Sequence, residues 1–500
     1  LATDDAGTGR CGRKGSDMTQ RNTISWLWLL VGAIFLASGC AVGPNYQQPD
    51  IAAPSVWNEA QQSGVDSRAA DLTQWWNAFN DPVLDSLIER GVKSNLDLRI
   101  AGARVREARA SRTVTAAGAW PAVDVSGSYT RNRASENAVG APSQGAVTAP
   151  RQGADLEQNF FHSGFDASWE IDFFGRVRRS VEAADANIEA AVENRRDALV
   201  TLLGDVARNY IDVRGLQRRL QVARASLTAH QETLDLTSIR FQAGLASDLE
   251  VAQAEAQVRQ TEAQIPTLES SLKQTAYGID LLLGLQPGSL WQDLSQEAAI
   301  PVLPAEVLIG LPSELLRRRP DIRRAERQLA AATAQIGAAM ADLFPRFSLT
   351  GSGGLQSVSA GDWFTSGSRY WSIGPTVSWP IFDAGRIRAN IEVRNAQQEQ
   401  ALNLYEKTIL TALRDVETSL VSYAKEQARY QSLTGAVAAN RRALAMASEL
   451  YIRGLNDFLN VLDAQRALYA AENDLAQSEA TMASNLVALY KALGGGWETP

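Results

Sequence analysis

Apolar positions recur every seven residues along two stretches of the chain, and the stretches are in register. Val461, Leu468, Leu475, Met482 and Leu489 form one series. Val251, Val258, Ile265, Leu272 and Ile279 form the other, 210 residues upstream. A sustained seven-residue apolar repeat specifies a coiled-coil seam. The same shift places Gly454, Leu459 and Ala464 on Gly244, Leu249 and Ala254, just where each series begins. Two copies in register predict a duplicated helical hairpin with turns at Gly244 and Gly454. The outgoing helices show the same spacing. Leu199, Leu203, Val206, Tyr210, Val213 and Leu220 step by threes and fours in the first; Leu402, Tyr405, Ile409, Val416, Leu420, Tyr423 and Tyr430 mark the second. The hairpins are expected over about 176–284 and 386–494, with Pro266 kinking the first return helix. An outgoing helix from Arg176 to Phe241 measures roughly 100 Å, too long for a compact globule.

Period two takes over elsewhere. Strands are expected at about 121–130 and 160–172, then at about 345–354 and 370–380. Val123, Val125 and Tyr129 alternate with Asp124, Ser126 and Thr130; Phe165, Trp169 and Ile171 alternate with Asp166, Ser168 and Glu170. Each strand has one apolar and one polar face. Strands of roughly ten residues with aromatic ends suit a transmembrane barrel, although a half-buried soluble hairpin alternates in the same way. Trp169 through Gly175-Arg176 returns as Trp379 through Gly385-Arg386, marking two strand-to-helix junctions. Helices precede both strand pairs. Asp81-Pro82 starts the first as N-cap and first-turn proline, and Pro121 ends it. Pro312 opens the second, which ends at Pro345. Repeat 1 therefore covers 73–284, a proline-bearing connector 285–311, repeat 2 312–494 and a tail 495–500. Four strands cannot close a barrel, and open sheet edges are not tolerated in lipid. If they span a membrane, several chains share one barrel. Three chains supply twelve strands, together with twelve long helical strands for a hollow cylinder.

The N-terminus has a different character. Residues 1–17 are polar and patternless, and Met18 is the expected start, the upstream residues being an over-extended reading frame. Residues 18–39 read as a signal peptide: Arg21, then an apolar run from Ile24 to Ala37 too short for a comfortable span. The run ends Leu-Ala-Ser-Gly at Cys40. This resembles a bacterial lipoprotein processing site, with Cys40 lipidated and Ala41 matching outer-membrane sorting; ordinary secretory cleavage leaving a free thiol is the alternative. Acyl chains on Cys40 would anchor the chain without a spanning helix. Residues 40–72, with Pro44, Pro49 and Pro54, read as an extended linker.

Composition narrows the chemistry. The formal net charge of −8 argues against nucleic acid as a partner, the Arg317–Arg319 run notwithstanding. With two His and two Cys, one of them in the processing signal, no cluster remains for a metal site or a nucleophile–base pair. No catalysis and no cofactor are expected beyond the covalent lipid.

Five segments carry a family resemblance: Cys40-Ala-Val-Gly-Pro-Asn-Tyr46, Trp75-Trp-Asn-Ala-Phe-Asn-Asp-Pro82, Arg318-Arg-Pro-Asp-Ile322, Leu462-Asp-Ala-Gln-Arg466 and Leu489-Tyr-Lys-Ala-Leu-Gly-Gly-Gly-Trp497. Their order and spacing resemble the TolC-like outer membrane factors, in the NodT/OprM-like lipoprotein branch. The resemblance implies an α+β membrane protein whose homotrimer forms a 12-stranded β-barrel and a periplasmic α-helical barrel. It implies a passive exit duct of a tripartite efflux or type I secretion system, in contact with a periplasmic adaptor, an inner membrane pump and outer membrane lipids. A soluble periplasmic coiled-coil lipoprotein scaffold is the rival reading.

The resemblance also implies site residues. Asp463 would form an inward acidic ring near the periplasmic end, where converging carboxylates repel one another and attract cations. Its alternative is a solvated carboxylate or a pair with Arg466. A second aspartate found three residues earlier in some members is Asn460 here, so Asp457 or Asp248 would supplement the ring. Tyr451 and Arg453 would latch the closed gate, or else serve as seam packing and a solvated charge. Gly244-Leu245 and Gly454-Leu455 would meet the adaptor, besides supplying turn geometry. Trp169, Trp379, Phe173 and Phe174 would form an interfacial aromatic girdle.

Overall fold

The computed structural model describes residues 41–51, 54–59, 65–66, 68, 72–133, 135, 157–304 and 307–497. Residues 1–40, including the expected signal segment and the expected lipidation site Cys40, lie outside the described residues. In chain order the elements are β1 (Val65–Asp66), α1 (Pro82–Ser94), α2 (Leu96–Ala117), β2 (Ala122–Arg133), β3 (Glu157–Ile171), α3 (Arg176–Gln242), α4 (Asp248–Leu282), α5 (Trp291–Leu294), β4 (Val307–Leu308), α6 (Pro312–Arg318), α7 (Pro320–Ala341), β5 (Arg346–Ser357), β6 (Arg369–Ser378), α8 (Arg386–Ile452) and α9 (Phe458–Ala492). The outgoing helices α3 and α8 are 67 residues each and the return helices α4 and α9 are 35 each. Helix α4 continues through Pro266.

The chain divides into two compact units. One comprises residues up to Tyr46, Ser111–Asp185 and Ala331–Gln398, and holds the four-stranded antiparallel sheet in the order β2-β3-β5-β6. Its register puts Val125, Phe165, Gly353 and Trp371 in one row, and Val123, Ala167, Gly351 and Ile373 in the next. These rows form an apolar face open to its surroundings, with Trp371 80% exposed and Val125 75%. The intervening residues, among them Asp124, Ser126, Asp166, Ser352 and Ser372, make the other face polar, and Ser126 donates to Asp166 at 2.9 Å. Strands β3 and β5 approach closely where glycines meet: a Cβ on Gly354 would lie 2.2 Å from the Ser163 carbonyl oxygen. The Tyr370 hydroxyl covers Gly164 and meets His162 at 2.7 Å.

The second unit comprises Gln47–Ala110, Ala186–Ala330 and residues from Glu399 onward. Its core gathers Phe79, Leu84, Ile88, Leu203, Tyr210, Leu283 and Ile309, with Trp75 stacked on Tyr490 at 5.3 Å. Asp81 caps α1 through Val83 and Leu84 and also accepts the Tyr210 hydroxyl at 2.6 Å.

The helical stretch expected to run unbroken from Asp81 to about Ala119 is two helices. Asn95 interrupts it, because its side chain caps Leu98 N–H and donates to the Leu282 carbonyl. In the second copy Arg319-Pro320 makes the equivalent break between α6 and α7. Each linker also contributes a two-residue strand, and β1 pairs with β4 in parallel. The Arg317–Arg319 run has a structural use. Arg319 grips Asp321 with two bonds, at 3.0 and 2.6 Å, and donates to the Ala492 carbonyl at the end of α9. Trp497, in the tail at 495–500, lies between the guanidinium groups of Arg196 and Arg323 and donates to the Arg318 carbonyl.

Candidate functional site

The two hairpin turns are built alike. At each, glycine takes a positive φ, +73° at Gly244 and +74° at Gly454, which lets the next N–H reach back five residues. Leu245 N–H bonds the Arg240 carbonyl and Leu455 N–H the Leu450 carbonyl, so both helices end in the glycine cap that satisfies their last carbonyls. Leu245, Leu249, Leu455 and Leu459 are all more than half exposed.

The copies differ where the return helices begin. Ser247 and Glu250 form a capping box on α4. The equivalent positions on α9 are Asp457 and Asn460, and Asp457 makes no side-chain cap. Asn460 instead donates to Asn456. Glu250 has a second task, because its other oxygen accepts the Tyr451 hydroxyl at 2.9 Å. The Arg240 guanidinium lies over the Tyr451 ring at 4.6 Å and donates to the Ile452 carbonyl at 3.2 Å. Phe458, Val461, Leu462 and Ala254 close the packing around that ring. Burial first, then the adjacent Glu250 carboxylate, holds the Tyr451 phenol above its ordinary value, so it remains a donor. The two hairpins of one chain are thus tied together by Arg240, Glu250 and Tyr451.

Arg453 pairs with Glu449 one turn earlier on its own helix and is exposed. Asp463 is exposed, and no ion pair ties it to Arg466. The Arg466 Nε instead donates to Gln257 at 2.8 Å. Sequence reasoning found Tyr451 but missed Arg240 and Glu250. The Ser247-x-x-Glu250 spacing was the available signal for the capping half of the Glu250 role; its long-range half had none.

At the strand-to-helix junctions, Trp169 donates its indole N–H to the Ala119 carbonyl and Trp379 to the Leu343 carbonyl, at 2.9 and 3.0 Å. These are equivalent bonds in the two repeats. Phe173 meets Phe347, while Phe174 stacks on Phe344 at 4.6 Å. At the far end of the sheet a second aromatic group, Tyr129, Phe161, Trp363 and Phe364, runs ring to ring at 4.8–5.4 Å.

The model of the family described as outer membrane efflux protein matches residues 87–285 and 311–495. The chain belongs to that family. It is 33% identical over 467 residues to Nodulation protein T of Rhizobium leguminosarum bv. trifolii, covering 92% of this chain and 96% of the relative. It is 35% identical to the solvent efflux pump outer membrane protein SrpC of Pseudomonas putida, covering 93% and 97%. The solved outer-membrane channel OprN superposes with a TM-score of 0.84 at 37% identity, covering 92% of this chain and all of that one. As a member of this family the chain is an outer membrane channel, an exit duct of efflux or secretion systems, and not an enzyme.

Proposed function

We propose that three chains form the duct, each adding its four-stranded sheet to one 12-stranded barrel and its helices to a periplasmic helical barrel. The carrying observation is the sheet itself: its apolar face is exposed, and β2 and β6 are open edges. A bilayer tolerates neither, unless the apolar face meets lipid and the edges pair with neighbouring chains. The dimensions support this. From Phe161 to Ile171, between the aromatic groups, β3 advances about 33 Å, or about 25 Å of membrane at a tilt near 40°. Trp169, Trp379, Phe173 and Phe174 form the inner girdle. Tyr129, Phe161, Trp363 and Phe364 form the outer one.

The lipid anchor fits the same junction. Val42 N–H bonds the Phe174 carbonyl, and Arg179 donates to the carbonyls of Val42 and Gly43 and to Asn45. Chain emerging from Cys40 is held beside the inner girdle, within reach of the inner leaflet.

The gate lies at the hairpin tips, where the Arg240–Glu250–Tyr451 tie holds them closed. Asp463 supplies a ring of three carboxylates, and the exposed Gly244-Leu245 and Gly454-Leu455 turns receive a periplasmic adaptor that couples the duct to an inner membrane pump. Within the chain Arg453 pairs with Glu449 of its own helix. Single-channel recording of the purified lipidated protein in planar bilayers tests the duct. Discrete openings from a particle of three chains are expected; a trimer that never conducts would refute it.

A further inference from the structure

Deep in the helical hairpins, His230 on α3 is 2% exposed and sits in a layer of buried amides. The layer fixes its proton. Gln465, from α9, donates its amide N–H to Thr233 at 2.7 Å, so its oxygen faces His230 Nδ1 at 3.3 Å and must accept. Gln257, from α4, uses its oxygen to accept from Arg466 Nε at 2.8 Å. Its amide nitrogen therefore faces His230 Nε2 at 3.4 Å and must donate. Ser226, on α3, lies 3.0 Å from the same Nε2. The neutral imidazole therefore carries its hydrogen on Nδ1, and Nε2 accepts from the Gln257 amide and the Ser226 hydroxyl. No carboxylate is hydrogen-bonded to the ring among the described residues, and Arg466 is the charge that acts on it.

We propose that His230 is a proton-binding site coupled to the gate helix α9. A proton taken from solvent onto Nε2 obliges the Ser226 hydroxyl to turn and accept it, and sets the new N–H against the Gln257 amide N–H, two donors face to face. Rotating the Gln257 amide relieves that clash but turns its NH2 toward Arg466, so the Arg466–Gln257 bond breaks. Protonation on α3 is thereby passed through α4 to α9, one turn from Asp463. The released Arg466 is free to pair there, which loosens α9 from α3 and α4. The proposal rests on the gate reading of the tips.

Burial holds the imidazole below its ordinary range, and the Arg466 charge acts in the same direction against the Gln465 bond. Unfolded chain therefore takes up the proton first as pH falls. Stability is full above the ordinary histidine range and is lost as pH drops through it toward the folded value.

The full-length trimer in planar bilayers provides the test. Lowering periplasmic-side pH from about 7.5 to about 5 should raise open probability about threefold or more. His230→Gln, which keeps amide hydrogen bonding without titrating, should abolish the rise. Gln257→Met should abolish it while the imidazole still titrates in solid-state NMR of 15N-histidine protein. Wild-type opening that ignores pH, or a rise that survives His230→Gln, overturns the proposal; a channel silent at every pH overturns the duct reading instead. Should His230→Gln fail to fold, the His162→Gln protein decides, because His230 is then the sole histidine of the two in the chain. An Nδ1–H tautomer near neutral pH is expected, and an Nε2–H tautomer overturns the proposal.

Discussion

Tyr451→Phe isolates one bond at the proposed gate. The ring stays, with its contact to Phe458 at 5.6 Å and its place under Arg240. What is lost is the hydroxyl donated to Glu250. A hydrogen bond to a charged group is worth about 1.5–3 kcal/mol when well buried. Glu250 is only half-buried, and water can replace the lost donor, so about 1 kcal/mol per chain is the working figure. That shifts a single latch about fivefold toward open. If three chains open together, the shift multiplies to about 100-fold. The assay is open probability in planar bilayers, compared with Glu250→Gln and with the double variant. Both single variants should raise opening, and the double variant should fall short of their product because they remove the same bond. Unchanged opening in Tyr451→Phe, or strictly multiplicative variants, would refute the latch.

Other outcomes follow from the same structure. Asp463→Ala should weaken block by divalent cations and raise leak conductance, read from current–voltage curves with and without the cation. Arg319→Ala removes the grip on Asp321 and the Ala492 carbonyl, where side chains are 12% and 18% exposed. It should cost about 3 kcal/mol, measured by denaturant titration, and Arg319→Lys should rescue only part because it cannot bind in two-pronged fashion. Gly354→Ala forces a Cβ onto the β3 backbone and should prevent heat-stable trimer formation on gels. Gly374→Ala, with open space around it, should not.

The helical seams and alternating strands were legible because each is a local period, and duplication printed each period twice. The 210-residue offset also marked both strand-to-helix junctions. What stayed hidden depends on partners far away in sequence. The break at Asn95 needs the Leu282 carbonyl to be in reach. The β1–β4 pair has two residues per strand, too few to show alternation. Arg240 reads as an ordinary basic residue near a helix end until the Tyr451 ring arrives beneath it. Trp497 looked like part of a tail because neither Arg196 nor Arg323 is near it in the chain. Tyr451 was found only because family resemblance supplied what periodicity could not.

The two return helices do not start with equal firmness. Helix α4 is stapled at its first turn by Ser247 and Glu250, whereas α9 begins without a side-chain cap. Such a cap is worth about 1 kcal/mol, so the second hairpin frays more cheaply. In the proposed trimer, six outwardly similar tips become two interleaved sets, three stiff and three loose. A docking partner repeated six times around the rim would then grip alternately on fixed posts and on moving leaves. Force applied evenly would still open the aperture in threes.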